Sequence, residues 1–356
     1  MASLFSKMFG KTSESVIGID IGSSAIKVVQ LRKKGGRAVL ETYGALALGP
    51  YAQTEIGRAT RLPIDKVIEA LKDVLREAKT TTTSAGIAIP FSSSLMTLIE
   101  MPRVGERELA QMIPLEARKY IPVPITEVTL DWSIIPRNEN PGESDKALPV
   151  STKTDVLIVA IHNDVLASYQ DIVSKVGIQA SFFEIEIFST IRSVLDQETL
   201  PIMLFDMGAA STKLYIVERG VVRVSHTINR GSQDVTLSLS RSLGIPVKDA
   251  EELKRTIDLS DPNAPTEAKE LIRSTLEFIF NEANRVILNF QKKYSKALSR
   301  VYLVGGGSAL KGMAPYAHES FRAETLAGNP FVKVEAPAFL SPMLERTGPE
   351  FAVALG

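Results

Sequence analysis

Apolar positions in the first 91 residues change their spacing, and each change predicts a different element. Segments 16–31 and 38–48 are rich in β-branched and aliphatic residues and predict three strands, two of them around a tight turn. Pro63 then opens a helix to about Lys79, since the apolar residues that follow it recur at helical spacing. A short strand at 86–90 ends this region, which we assign to the first domain.

The pattern changes to strand, helix, strand, strand, helix between residues 92 and 177. The predicted pieces are 95–100, 106–120, 128–136, 155–161 and 164–176. Residues 137–153 are rich in Asn, Pro, Gly and Ser and predict a long hairpin loop. Pro114 should break or kink the first of these helices. The block predicts a small α+β subdomain inserted into the first domain.

The first domain resumes at residues 178–199, with a strand at 181–184 and a helix at 186–195. A second domain, 200–340, opens on an apolar strand before residue 206. It continues with strands at 213–217 and 221–227, and with helices at 234–243, 246–257 and 267–294. A buried strand at 300–304 runs into three glycines, and a final segment, 341–356, should return to the first domain.

Composition narrows the class of protein. The 356 residues are enough for two domains, and 44% hydrophobic with 23% charged residues is typical of a soluble globular chain. Lys plus Arg balances Asp plus Glu at 41 each, so net charge gives no indication of a nucleic-acid partner. There is no cysteine, which excludes disulfides and thiolate chemistry.

No apolar run reaches the length of a membrane span. Residues 1–14 are interpreted as a frayed tail, with amphipathic contact to a membrane or partner through 4–9 as the alternative.

Two similar turns lie far apart in the chain and carry the candidate chemistry. Each joins two strands, with an aspartate before the turn, small residues at its tip and a lysine on the returning strand. They read Asp20-Ile21-Gly22-Ser23-Ser24-Ala25-Ile26-Lys27 and Asp206-Met207-Gly208-Ala209-Ala210-Ser211-Thr212-Lys213. A carboxylate here can hold Mg²⁺ through water, and the tip offers room and N–H donors to a phosphate. The alternative for one copy is a plain hairpin capped by its aspartate.

A third motif favours a nucleotide site. Gly305, Gly306, Gly307 and Ser308 follow a predicted buried strand, where glycines let the backbone approach a flat ligand. A flexible strand-to-helix connection is the alternative for this motif alone. Two Asp-Gly turns followed by this glycine run favour a duplicated phosphate-binding fold with a nucleotide between its halves.

The order of these motifs resembles the actin/Hsp70/sugar-kinase superfamily, and within it the PilM family of type IV pilus assembly, itself similar to the cell-division protein FtsA. The closer resemblance extends from about Ser15 to the end and is carried by the first turn, by 116–122 (Glu-Ala-Arg-Lys-Tyr-Ile-Pro) followed by Asp131-Trp132, and by the second turn. It implies an α/β, two-domain actin-like ATPase fold with a small α+β insertion in the first domain.

The resemblance also implies roles for particular residues. Asp20 and Asp206 would organise Mg²⁺ and the attacking water, and Glu186 would position that water, unless it only complements the helix dipole. The ATP phosphates would lie between the first turn (Gly22, Ser23, Ser24, Lys27) and the second (Gly208, Ala209, Ser211, Thr212). The adenosine would contact Gly305, Gly306, Gly307 and Ser308, with Glu251 and Lys254 near the ribose and adenine. An exposed amphipathic helix face is the alternative for Glu251 and Lys254.

The expected function is an ATP-binding scaffold of pilus or related secretion assembly, with ATPase activity that is weak at most. The resemblance implies a cytoplasmic protein at the inner face of the membrane. Its partner would be the N-terminal cytoplasmic peptide of a PilN-like inner-membrane protein, bound near residues 92–136. Pilus motor ATPases and self-association stay open as further interactions.

Two other functions stay open at this point. An FtsA-like filament protein would carry a C-terminal amphipathic membrane helix, whereas this sequence stops at Gly356. A sugar or acetate kinase would need an acceptor site and a strong general base, and no carboxylate or histidine cluster in the sequence plainly supplies one.

Overall fold

The computed structural model describes residues 15–135 and 152–356. The predicted N-terminal tail lies outside the described residues, as does most of the predicted hairpin loop at 137–153. By their contacts the described residues form two compact units, Ile89–Asp171 and a larger one made of 15–88 and Ile172–Gly356. The larger unit contains both Asp-Gly turns and the glycine run. Its division into two actin-like domains stays a prediction.

The larger unit is built on two five-stranded sheets of the same plan. The first has the order β3-β2-β1-β4-β8 and the second β11-β10-β9-β12-β13. In each, three consecutive strands are antiparallel, and the next strand pairs in parallel with the first of them. The strands of the first sheet are β1 (Ser15–Ile21), β2 (Ala25–Lys34), β3 (Arg37–Ala47), β4 (Ser84–Ile89) and β8 (Gln179–Ile185). Those of the second are β9 (Ile202–Met207), β10 (Thr212–Glu218), β11 (Val221–Ile228), β12 (Arg300–Val304) and β13 (Glu324–Ala327).

Helices pack on these sheets through apolar stripes. The longest, Thr266–Tyr294, buries Ile272, Leu276, Ile279 and Phe280 against the second sheet, where Phe205 meets Phe280 edge to face. The helices of this unit are α1 (Ile64–Glu77), α4 (Glu186–Val194), α5 (Ser232–Leu243), α6 (Val247–Thr256), α7 (Thr266–Tyr294), α8 (Met313–Phe321), α9 (Ser341–Thr347) and α10 (Ala352–Leu355). The sequence pattern did not predict α8, β13 or α9.

The smaller unit has its own sheet and core. Strands β5 (Ser94–Pro102), β6 (Val128–Ile135) and β7 (Lys153–His162) form an antiparallel sheet in the order β5-β7-β6. Helix α2 (Glu106–Ala117) packs its buried residues on this sheet, and α3 (Asn163–Val176) follows β7. A break at Pro114 does not occur, since α2 continues to Ala117, and the kink expected there stays a prediction. Ile113 and Ala117 are both fully buried, so tertiary packing holds the last turn despite the missing N–H.

The C-terminal residues pack against the first sheet. Phe331, Leu344 and Phe351 join Val29 and Leu40 in one buried cluster, and Tyr43 contacts both phenylalanine rings. This return of the chain also places 346–350 beside the glycine run, because the Gly305 N–H donates to the Pro349 carbonyl at 2.8 Å.

Gly18 in the middle of β1 makes room for α10. A Cβ at this position would lie 1.8 Å from the carbonyl oxygen of Ala354. We therefore expect Gly18→Ala to lower the free energy of unfolding by about 3 kcal/mol, since backbone on both sides must move. Urea unfolding followed by circular dichroism measures the change. Gly105→Ala is the control, because no described heavy atom beyond its chain neighbours lies within 4 Å of that Cβ position. Equal effects of both substitutions would contradict this account.

Candidate nucleotide-binding site

The first Asp-Gly turn is a tight hairpin connection between β1 and β2. The Gly22 N–H donates to the Ala25 carbonyl at 3.0 Å and closes the turn. Asp20 and Lys27 are directly opposite in the antiparallel register, and their charged atoms are 3.4 Å apart. Asp20 is only 8% exposed, so its carboxylate is held at the floor of the site and not in bulk solvent.

The second turn repeats this geometry in the other sheet. The Gly208 N–H donates to the Ser211 carbonyl at 2.9 Å, and Asp206 is opposite Lys213 in the β9–β10 register. Here the lysine is less close to its own aspartate, at 3.8 Å. The equivalent hydrogen bonds and registers show that the two motifs are structural duplicates.

The two turns face one cleft of about 560 Å³ within the larger unit. Residues of the first and second turns line it together with the glycine run. The predicted residues that line it are Asp20, Gly22, Ser23, Ser24, Lys27, Glu186, Asp206, Gly208, Ala209, Ser211, Glu251, Lys254, Gly305, Gly306 and Gly307. Positions up to 287 residues apart in sequence (307 − 20) are thus brought together.

Two predicted residues are not brought to the cleft lining. Thr212 is fully buried and its hydroxyl donates to the Arg230 carbonyl at 2.8 Å. Ser308 is also buried, and its hydroxyl donates to the Val304 carbonyl. Both hydroxyls therefore hold the backbone around the turn and the glycine run, and contact with a phosphate or adenosine stays a prediction.

Glu186 forms a salt bridge with Lys213 in the lining of the cleft. The carboxylate is 7% exposed at the start of α4, and its Oε1 lies 2.6 Å from the Lys213 Nζ. Burial opposes the ammonium, but attraction from Glu186, Asp206 and Asp20 outweighs it and raises the pKa of Lys213. The buried Lys213 ammonium is therefore attracted by three carboxylates, those of Glu186, Asp206 and Asp20.

Glu251 and Lys254 form a second buried group at another part of the cleft. Their charged atoms are 2.6 Å apart, and Thr236 Oγ1 and Arg255 Nε also donate to the Glu251 carboxylate. Burial raises the pKa of Glu251, yet these partners outweigh it and hold that pKa below its usual value. The alternative of an exposed helix face is wrong for these two residues, because both are largely buried.

The three glycines of the run differ in how closely other atoms approach them. Cβ atoms at Gly305 and Gly307 would lie 2.4 Å from Asp206 Oδ1 and 2.5 Å from Met207 Cγ, respectively. At Gly306 the nearest described neighbour is the Glu350 side chain, at 3.8 Å. Gly305 and Gly307 thus serve the packing of β12 against β9, whereas a Cβ at Gly306 would make only an ordinary van der Waals contact with Glu350.

Sequence reasoning missed several residues that line the cleft. Lys213 could have been assigned from the duplication, since it repeats the position of Lys27 relative to its aspartate. The other missed residues come from segments without a motif, and they include Ser232, Arg255, Lys311, Arg346, Thr347 and Glu350.

The carboxylates of Asp20 and Asp206 fit a hydrated Mg²⁺. No group of three or more His, Cys, Asp or Glu side chains within 15–135 and 152–356 is arranged to hold a metal. Asp20 and Asp206 supply hard oxygen atoms, and Mg²⁺ commonly uses one or two carboxylates with waters and substrate phosphates. The donor set therefore fits a metal that arrives with a nucleotide.

No helix in the described part of the chain is long and apolar enough to cross a membrane.

Comparison with solved structures confirms the fold. The chain is 24% identical to one in the "PilM-PilN type IV pilus biogenesis complex", with a TM-score of 0.78 and coverage of 96% of both chains. Ethanolamine utilization protein EutJ from Carboxydothermus hydrogenoformans gives a TM-score of 0.55 at 15% identity, covering 97% of this chain and 89% of that one. MreB 5 of Spiroplasma citri bound to AMPPNP gives 0.53 at 12% identity, covering 90% and 95%. The predicted actin-like α/β fold is thus confirmed.

The family model for the type IV pilus assembly protein PilM matches residues 18–356. The match spans both sheets of the larger unit, the smaller unit and the C-terminal residues. The resemblance expected from the Asp-Gly turns is therefore confirmed, and the chain belongs to the PilM family of type IV pilus assembly proteins.

Proposed function

We propose that this chain is a nucleotide-dependent scaffold of type IV pilus assembly. Its cleft would bind Mg·ATP, and the nucleotide state would alter the affinity for a PilN-like inner-membrane protein. The supporting observation is the pair of duplicate Asp-Gly turns that face one cleft in a member of the PilM family. The family favours this function over the FtsA-like and kinase alternatives.

Each part of the cleft has a role in this proposal. Lys27 and the N–H groups of the two turns would bind phosphate oxygens, and Asp20 and Asp206 would hold the waters of Mg²⁺. Mg²⁺, when bound, neutralises phosphate charge. Gly306 would contact the adenosine, and the Glu251–Lys254 pair would offer polar contacts to its ribose. The activity expected of this site is slow ATP hydrolysis at most.

The proposed location is the cytoplasmic face of the inner membrane, reached through the partner. The solved structure that matches with a TM-score of 0.78 is that of a PilM-PilN complex. By analogy, the N-terminal cytoplasmic peptide of a PilN-like protein would bind this chain. A cleft that changes shape around its nucleotide could transmit that change to the peptide site, which is a coupling between two ligands of one protein.

We expect a fluorescein-labelled peptide of this kind to bind with a micromolar Kd, measured by fluorescence anisotropy. Saturating Mg·AMPPNP should change that Kd by about fivefold or more, the lower end of typical allosteric coupling. A scrambled peptide is the control. If the peptide does not bind, the proposed partner is wrong. If it binds with the same Kd with and without nucleotide, the nucleotide-dependent switch is wrong, and the proposed scaffold function is retained.

A further inference from the structure

The two lysines of the duplicated turns use their charge differently. Lys27 pairs with the aspartate of its own turn at 3.4 Å. Lys213 occupies the equivalent register position, yet it is closer to Glu186, at 2.6 Å, than to Asp206, at 3.8 Å. The second lysine therefore links β10 to the first turn of α4, across the base of the cleft.

This link occupies the carboxylate that the family resemblance implies as the water-positioning group. Glu186 lines the cleft with both aspartates, but one of its oxygens is held by an ammonium that is itself largely buried. A carboxylate in a short, charge-assisted hydrogen bond is a weaker base than a free one, and its orientation is determined by its partner. Glu186 would therefore orient and deprotonate a water molecule less well while it is paired with Lys213.

We propose that Lys213 is a positioning residue that restrains ATP hydrolysis by holding the Glu186 carboxylate in this salt bridge. The proposal rests on the proposed nucleotide function. In the restrained reaction the water oxygen bonds to the γ-phosphorus, and the bond from that phosphorus to the β,γ-bridging oxygen breaks. ADP leaves with the electron pair, and the proton lost by water passes through Glu186 to solvent. The products are ADP and inorganic phosphate.

Burial of the pair makes the restraint effective. Exposed salt bridges contribute little, but here both side chains are more than four-fifths buried, so water competes weakly for either charge. The helix dipole at the start of α4 further stabilises the ionised Glu186 in its present position. A slow enzyme is the expected consequence of this geometry, and it agrees with a scaffold that remains nucleotide-bound.

Lys213→Met tests the restraint, because methionine fills similar space without a charge or a donor. We expect phosphate release at saturating Mg·ATP to rise about tenfold, a fraction of what a positioned base typically contributes. Lys213→Arg should retain slow turnover, because it keeps the cation. The double variant with Glu186→Gln should lose the gain. Lys27→Met is the matched contrast and should weaken nucleotide binding without raising turnover.

A second measurement needs no nucleotide. Urea unfolding of the free protein, its Lys213→Met and Glu186→Gln variants and the double variant forms a double-mutant cycle. We expect the two substitutions to be non-additive by about tenfold in the unfolding equilibrium constant, which is within the range for residues in contact. Additive effects would refute the salt bridge, and hence the restraint, even if Lys213→Met proved inactive through poor folding.

The outcomes separate this proposal from the nucleotide function. Calorimetry that shows no Mg·ATP binding to the unaltered protein would refute both. Binding combined with unchanged or lower turnover of a folded Lys213→Met protein would refute the restraint alone.

Discussion

Asp20→Ala should reduce the affinity for Mg·ATP by about 100-fold, the upper end of the effect of losing a partner of a bound metal. The carboxylate is 8% exposed and lies at the end of β1, where it would hold the hydrated metal. Its loss also releases Lys27 from a 3.4 Å ion pair. Affinity for ATP without metal should therefore not fall, because the freed ammonium can meet a phosphate. The difference between the two affinities, measured by calorimetry with Mg²⁺ and with EDTA, should nearly vanish.

Asp65→Ala is the control for this experiment. Asp65 is an exposed aspartate in the first turn of α1 and does not line the cleft, so its loss should leave both affinities unchanged. Unchanged Mg·ATP affinity in Asp20→Ala would contradict the assignment of the metal site. An equal loss of ATP affinity with and without Mg²⁺ would instead indicate that Asp20 stabilises the turn and does not hold the metal.

Gly305→Ala should lower the free energy of unfolding by about 2–5 kcal/mol, combining backbone strain with a steric clash. Gly305 has φ +81° and ψ 161°, a conformation almost confined to glycine. Its new Cβ would lie 2.4 Å from Asp206 Oδ1 and 2.6 Å from the Met207 carbonyl oxygen. The substitution would therefore also displace the second aspartate and weaken binding of Mg·ATP.

Gly306→Ala is the matched substitution one residue later. Its Cβ would be 3.8 Å from the nearest described neighbour, and no unusual φ is required, so the unfolding free energy should change by less than about 1 kcal/mol. Any loss of nucleotide affinity in this variant would then indicate that the nucleotide binds next to residue 306. If denaturant unfolding gave Gly305→Ala and Gly306→Ala the same stability, the distinct roles of the two glycines would be wrong.

The strands and long helices were predictable because local spacing specifies them. The apolar stripe of α1 and the buried strand β12 are examples, and their predicted and observed bounds differ by at most a few residues. Short elements were not predictable. Strand β13 has four residues, too few for a period to be read, and it exists because β12 offers it a parallel edge. Helix α2 likewise continues beyond Pro114 because of tertiary packing.

The residues of the two turns were predictable as cleft residues from the duplicated motif, but the lining residues from segments without a motif were not. The association of Glu251 with Lys254 follows from neighbouring turns of one helix, and the sequence favoured both as ligand contacts. The presence of Arg346 and Glu350 beside Gly306 depends on how the C-terminal residues return to the first sheet. No local pattern encodes such a long-range contact.

The sequence by itself determined the two Asp-Gly turns, each with an aspartate before its tip and a lysine on the returning strand. These depend on residues within a few positions of one another, where hairpin hydrogen bonds and small side chains suffice. Only the tertiary structure decided that Lys213 meets Glu186 while Lys27 keeps Asp20. The reason is physical: a buried ammonium pairs with the carboxylate that packing brings nearest, and the tertiary structure brings Glu186 of α4 to Lys213 of β10.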